Sequence, residues 1–211
     1  MPETLRQNRV TPLLTAFVLI YMLVFSSLAL RQGNTEFLMY AVVMVIFILI
    51  ILALHTLIRF NTFTLWLLAI WGFLHMGGGT IPVNPELTDA YRAATEEAGR
   101  PTSAVLYSMR IHPDFPKYDQ IVHAFGFFTA TIASYEALRA LLRAPRSIAT
   151  AACAALMGIG LGAINEVIEF IAVLTMPETN VGGYINTGWD LVANTIGATV
   201  GATLSLLLNK K

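Results

Sequence analysis

The chain has 211 residues, with 13 basic side chains against 13 acidic ones, and 56% of its residues are hydrophobic while only 12% are charged. That balance offers no broad basic field for nucleic acid, and apolar runs of about 20 residues recur too often for a soluble domain. The expected fold is all-α: an integral membrane helical bundle of about six transmembrane helices, forming a single domain over residues 1–211.

The first expected span runs from Pro12 to Leu30. Arg6 and Arg9 precede it, and Ser27 and Ala29 mimic a cleavage site, but its apolar stretch exceeds the core of a secretory signal, so it reads as an uncleaved anchor. The second span runs from Glu36 to Phe60, and the third, the shortest, from Phe63 to Met76 within HMGGG. The only sizeable polar segment follows, from about Ile81 to Tyr118 (residues 81–118). Within it PELTDAYRAATEEAG has the capping pattern and composition of a short surface helix, whereas Pro113 and Pro116 keep HPDFP out of regular helix. A loop of this length acts as a lid or binding loop or as an inert connector. Three further spans run from Gln120 to Leu142, Ile148 to Thr175 and Trp189 to Leu208. No internal repeat is visible, and the lone Cys153 has no partner for an intrachain disulfide.

Across six spans, Arg6, Arg9, Arg59, Arg139, Arg143, Arg146, Lys210 and Lys211 fall on one side of the membrane. The other side receives Arg31 and the loop residues Arg92, Arg100, Arg110 and Lys117, which acidic neighbours offset. The positive-inside rule therefore places both termini in the cytoplasm and the long loop outside.

Four polar clusters interrupt the apolar pattern: His75 in HMGGG, Asp119 and His123 in YDQIVH, Asn165, Glu166 and Glu169 in NEVIEF, and Asp190 and Asn194 in WDLVAN. An ionisable side chain within a bilayer is costly and is a functional-site hypothesis by default. Given the orientation, all four clusters fall in the outer leaflet. Their spacing places them on single helix faces: Asp119, His123, Gly126 and Ala130 on the fourth span, Asp190, Asn194, Gly197 and Gly201 on the sixth, and Gly158, Gly162, Glu166 and Glu169 on the fifth. Each face is polar toward the outside and small toward the cytoplasm. Small residues let helices approach closely, so the pattern predicts a bundle closed in its inner half and splayed in its outer half, a blind pocket open outward.

Imidazole mixed with carboxylates suits Zn, Mn or Fe. His123, Glu166, Glu169 and Asp190 are the candidate ligands of such a divalent ion, Asp119 and His75 the candidate general base or acid, and Asn194 and Asn165 further pocket residues. Taken one at a time, simpler roles exist: Asp119 and Asp190 as helix-start residues, Asn194 as interhelical glue, His75 as an interfacial hydrogen-bonding group. Two carboxylates one turn apart, Glu166 and Glu169, demand a partner in any reading.

HMGGG, YDQIVHAFGFF, NEVIEF and TGWDLVANTIGA resemble the signature segments of the YjdF-type inner-membrane proteins, a family of unknown function. The last segment and the preceding Asp-x-x-x-His are also similar to VanZ-type proteins, whose prototype is associated with glycopeptide-antibiotic resistance. The resemblance covers roughly Trp71 to Ala202; Glu169 sides with the YjdF type, while Asn165 stands where that pattern often has an aromatic. It implies a bacterial multi-pass protein of the inner (cytoplasmic) membrane and no particular activity.

The residues themselves lead to a metal-assisted hydrolase or transferase acting on a lipid or lipid-linked envelope substrate. The alternatives are a non-enzymatic protein that binds or transports a cation, a proton or a small ligand, and a structural membrane subunit. No Ser or Cys nucleophile motif is present. The expected surroundings are the lipid bilayer, with no nucleic acid.

Overall fold

A computed structural model describes residues 9–85, 87–88, 104–110, 112, 115–176 and 179–208. The regular structure among them is helical: α1 (Pro12–Gln32), α2 (Thr35–Ile58), α3 (Thr62–Thr80), a 3-10 turn (Leu106–Ser108), α4 (Tyr118–Leu141), α5 (Ile148–Thr175) and α6 (Tyr184–Leu208). All but α3 are long and apolar enough to cross a membrane.

Local chemistry sets the helix ends. Thr11 caps α1 by accepting from the Leu14 N–H at 3.2 Å, and Pro12 occupies the first turn, where its missing N–H costs nothing. Gly33 ends α1 with φ +66°, a conformation that favours glycine. Asn34 then caps α2 by accepting from Phe37 N–H at 3.0 Å, so two helices meet across a tight reversal. Asn61 and Ser147 cap α3 and α5 in the same way.

The bundle is apolar on its surface and buries a polar cluster beside its apolar core. Leu13, Leu23, Leu49, Leu156, Phe170 and Leu208 are exposed, as a lipid-facing surface requires, whereas Asp190, Asn194, Asn186 and His123 are buried. Tyr184 and Trp189 lie exposed near the start of α6, a pattern typical of the membrane–water boundary. Helices α4, α5 and α6 pack mutually, and α3 bridges α1 and α4.

The small faces expected from the sequence are where the helices touch. A Cβ at Gly201 would lie 2.5 Å from the Phe128 carbonyl oxygen, and one at Gly197 would overlap the Ala124 carbonyl. On α5, Gly158 abuts Thr131 and Ala198, and Gly162 abuts the Asn194 side chain. The α6 glycines therefore meet the α4 backbone directly, from Ala124 beside His123 onward to Phe128.

Three boundaries differ from the sequence expectation. Helix α3 continues past Met76 to Thr80, because Gly78 packs on Tyr107 and Gly79 on Phe37, and the Thr80 hydroxyl donates to the Met76 carbonyl at 2.7 Å. Helix α6 begins at Tyr184 rather than Trp189, so Asp190 is interior and does not cap the helix. Helix α4 begins at Tyr118 with Lys117 at its N-cap, so Asp119 belongs to the first turn. The surface helix expected in PELTDAYRAATEEAG falls largely outside the described residues.

An antiparallel bridge between Pro82 and Val105 ties the two ends of the long loop together. Val83 N–H donates to Ala104 O, and Leu106 N–H to Ile81 O, each at 2.9 Å. This clasp sets the 3-10 turn, and with it Tyr107, against the end of α3.

Candidate functional site

The candidate residues come from the amino-terminal turns of α4 and α6 and the carboxy-terminal halves of α3 and α5, which share one end of the bundle. One donor atom each from His123, Glu166, Glu169 and Asp190 lies within 4.8 Å of the other three. These are the four residues singled out as ligands from the sequence. Asp190 and Asn194 are fully buried at 0% exposure.

His123 is held from both sides. Its Nδ1 lies 3.1 Å from Asn194 Oδ1 and 3.4 Å from Glu166 Oε1. Its Nε2 faces Asp119 Oδ1 and Glu169 Oε1, each at 3.4 Å. An Nδ1 proton donated to Asn194 leaves the Nε2 lone pair pointing at two carboxylates, which calls for a proton or a cation between them. Asn194 also donates toward Glu166 Oε1 at 3.4 Å, and Asn165 Nδ2 donates to Glu169 Oε1 at 2.7 Å.

Two buried carboxylate oxygens, Glu166 Oε2 and Asp190 Oδ1, have no hydrogen-bond partner among the described residues. A buried polar atom without a partner is rare and costly. Ligands around a tetrahedral ion at about 2.1 Å stand roughly 3.4 Å apart, so a donor set up to 4.8 Å across closes by side-chain movements of about an ångström to hold one. The donor chemistry and the unpaired oxygens therefore fit a divalent ion.

Sequence reasoning missed several members of the site. Lys117, counted only as a loop charge, is 2% exposed, and its Nζ donates to Asp119 Oδ2 at 2.8 Å and to Asn186 Oδ1 at 2.6 Å. Asn186 in turn donates to Asp190 Oδ2 and, at 3.4 Å, to Asp119 Oδ2. Asn186 stands four residues before Asp190, a spacing that would have revealed it had α6 been started earlier. Asp119 is thus clamped between a lysine and a histidine.

His75 lies apart from the four-residue group. Its ring stacks on Trp71 at 5.5 Å, and its Nδ1 lies 2.5 Å from the Tyr107 hydroxyl. Burial pushes the Tyr107 phenol well above its ordinary pKa, so it stays protonated. Donation from that O–H to Nδ1 places the His75 ring proton on Nε2. His75 shares an open pocket with Asp119 and Glu169, and Glu36 and Tyr40 of α2 contribute to the same wall.

The family model described as "Predicted membrane protein (DUF2238)" matches residues 11–211. The chain belongs to that family. The DUF2238 match runs from α1 to the carboxy terminus and so takes in every residue of the polar cluster. No curated protein and no solved structure matches the chain. This DUF2238 protein is therefore a helical membrane protein in contact with lipid, containing a buried group of His, Glu and Asp side chains within ligand distance of one another.

Proposed function

We propose that this DUF2238 protein holds a divalent transition metal, Zn, Mn or Fe, with His123, Glu166, Glu169 and Asp190, and acts on a lipid or lipid-linked envelope substrate. In this reading the protein is a multi-pass protein of the bacterial cytoplasmic membrane with both termini in the cytoplasm and the site opening outward. The observation that carries the reading is the convergence of four ligand-type atoms within 4.8 Å, two of the carboxylates retaining an unpaired buried oxygen. Four carboxylates, Asp119, Glu166, Glu169 and Asp190, gather about His123, and Lys117 pairs directly with Asp119, which favours a bound cation.

A bound ion of this kind lowers the pKa of a water ligand or polarises a phosphoryl or carbonyl oxygen. The surrounding residues have distinct tasks. Asn194 fixes the His123 ring, and Asn165 fixes Glu169. Asp119, fastened to Lys117, orients His123 from the other side rather than serving as a free base. His75, paired with Tyr107 across the pocket, is the residue placed to exchange a proton with a substrate. Passage of a solute through the bundle is disfavoured by the backbone contacts of Gly197 and Gly201, which leave no channel between α4 and α6.

The test is elemental mass spectrometry on detergent-purified protein beside the Glu166→Gln/Glu169→Gln variant, with gel filtration to show that both are folded. Near-stoichiometric Zn, Mn or Fe that disappears in the folded variant is the expected result. Metal-free wild-type protein, after purification without chelator and reloading with each ion, overturns the reading.

A further inference from the structure

Beside the four-residue group, sharing Glu169 with it and bordered by Asp119, lies a pocket of about 300 Å³, its open mouth included. Its enclosed part has room for about one water-sized group, and one wall is aromatic. Phe37 packs on Tyr40 at 5.2 Å and on Tyr107 at 5.8 Å between ring centroids, and His75 closes the wall 5.5 Å from Tyr40. Ring faces carry negative electrostatic potential and attract cations.

The pocket's carboxylates, Glu36, Asp119 and Glu169, are acceptors. Glu36 is anchored by Asn180, whose backbone N–H and Nδ2 donate at 2.8 and 3.2 Å, both to Oε2. Oε1 has no partner among the described residues. Tyr40, only 6% exposed, lines the same pocket, and its hydroxyl is unpartnered among the described residues. Asp119 and Glu169 add further carboxylate oxygens at the boundary with the cluster.

We propose that this pocket receives a primary organic ammonium group, an –NH3⁺ on a short carbon chain, as part of the substrate. An anionic group is repelled by the carboxylates. A hard inorganic cation takes six or more oxygen ligands, which a wall of rings does not offer. A quaternary ammonium satisfies the rings but donates nothing to Glu36 Oε1 or Tyr40 Oη, whereas –NH3⁺ has three donors for these acceptors. The ammonium site deepens the reading above, because a ligand anchored there by its amine presents its adjoining phosphoryl or ester oxygen toward His123 and Glu169. That second half rests on the metal reading, and the ammonium site itself does not. The amine is carried either by an aminoalcohol lipid headgroup or by a soluble amine.

The experiment is a saturation-transfer NMR titration of the purified full chain in amine-free buffer, with ethanolammonium and tetramethylammonium as probes, on wild type, Glu36→Gln and Tyr40→Phe. Glutamine keeps an oxygen for the Asn180 donors, and the tyrosine change is isosteric, so both variants should fold. Ethanolammonium should bind about tenfold more tightly than tetramethylammonium, and Glu36→Gln should weaken it about tenfold, as expected for loss of one charge-assisted hydrogen bond. Tyr40→Phe should weaken it a few-fold. Absence of ethanolammonium binding, equal binding of the two probes, or affinity unchanged in both folded variants overturns the proposal. Competition from phosphatidylethanolamine nanodiscs assigns the amine to a lipid, and competition from soluble phosphoethanolamine alone assigns it to a free metabolite. Metal content measured on the same samples separates the two readings: ethanolammonium bound by protein that stays metal-free after reloading with each ion sinks the metal centre and leaves the ammonium site standing.

Discussion

Replacing Lys117 by methionine tests how the end of the bundle is held together. Lys117 Nζ and Asp119 Oδ2 are 2.8 Å apart, an attraction of about 6 kcal/mol at an effective dielectric of about 20. Desolvation of both ions offsets much of that, yet removing one partner strands the other, at a cost of roughly 3–5 kcal/mol. Asp119 would then face Glu169 and Asp190 with no ammonium nearby, and Asn186 Oδ1 would lose its 2.6 Å donor as well. Lys117→Met should therefore destabilise the protein by about 3–5 kcal/mol. Adding Asp119→Asn should restore at least about 2 kcal/mol, because a neutral amide no longer needs the ammonium. Unfolding in mixed micelles, followed by the fluorescence of the three tryptophans, measures both. A single variant within about 1 kcal/mol of wild type, or costs that simply add in the double variant, would refute the assignment of a coupled buried pair.

Gly197→Val places a branched side chain against the Ala124 carbonyl and should prevent folding or cost about 3 kcal/mol or more, whereas Gly160, with open space around it, should accept valine within about 1 kcal/mol; expression and gel-filtration profiles compare them. Asn194→Ala removes the partner of His123 Nδ1 and should lower metal affinity about 10- to 100-fold while the helices stay assembled, read by chelator competition. Tyr107→Phe should leave metal content unchanged, since its hydroxyl touches His75 and not the four-residue group; a metal-free Tyr107→Phe protein would show the two parts of the site to be one.

Where two residues of the site share a helix face, the sequence reveals them: Glu166 with Glu169, Asp190 with Asn194 and Asp119 with His123 are pairs three or four apart. The glycine faces are legible for the same reason, and Gly197, Gly201, Gly158 and Gly162 make the close contacts that their spacing implies. What was not legible depends on tertiary placement. Lys117 is two residues from Asp119 and reaches it only because the chain turns at the N-cap of α4. Asn186 was hidden because the sixth span was started at Trp189, just after Gly188, although α6 runs through that glycine. The run of three glycines after Met76 likewise suggested a helix end, but rings from α2 and the 3-10 turn pack against them and keep the segment helical. Tyr107 comes from a polar loop that no periodicity describes.

The Glu36 carboxylate of α2 accepts both of its hydrogen bonds from Asn180, 144 residues further along the chain. Synthesis at about 5–20 residues per second puts roughly 7 to 30 s between the two. Through that interval the first two helices carry a carboxyl group without its Asn180 donors, so the nascent amino-terminal pair has reason to keep Glu36 at the water boundary until Asn180 arrives. Assembly is then ordered by the chain itself: this wall of the pocket locks only after the segment joining α5 to α6 has been made, and a product truncated before Asn180 retains an unlatched α2.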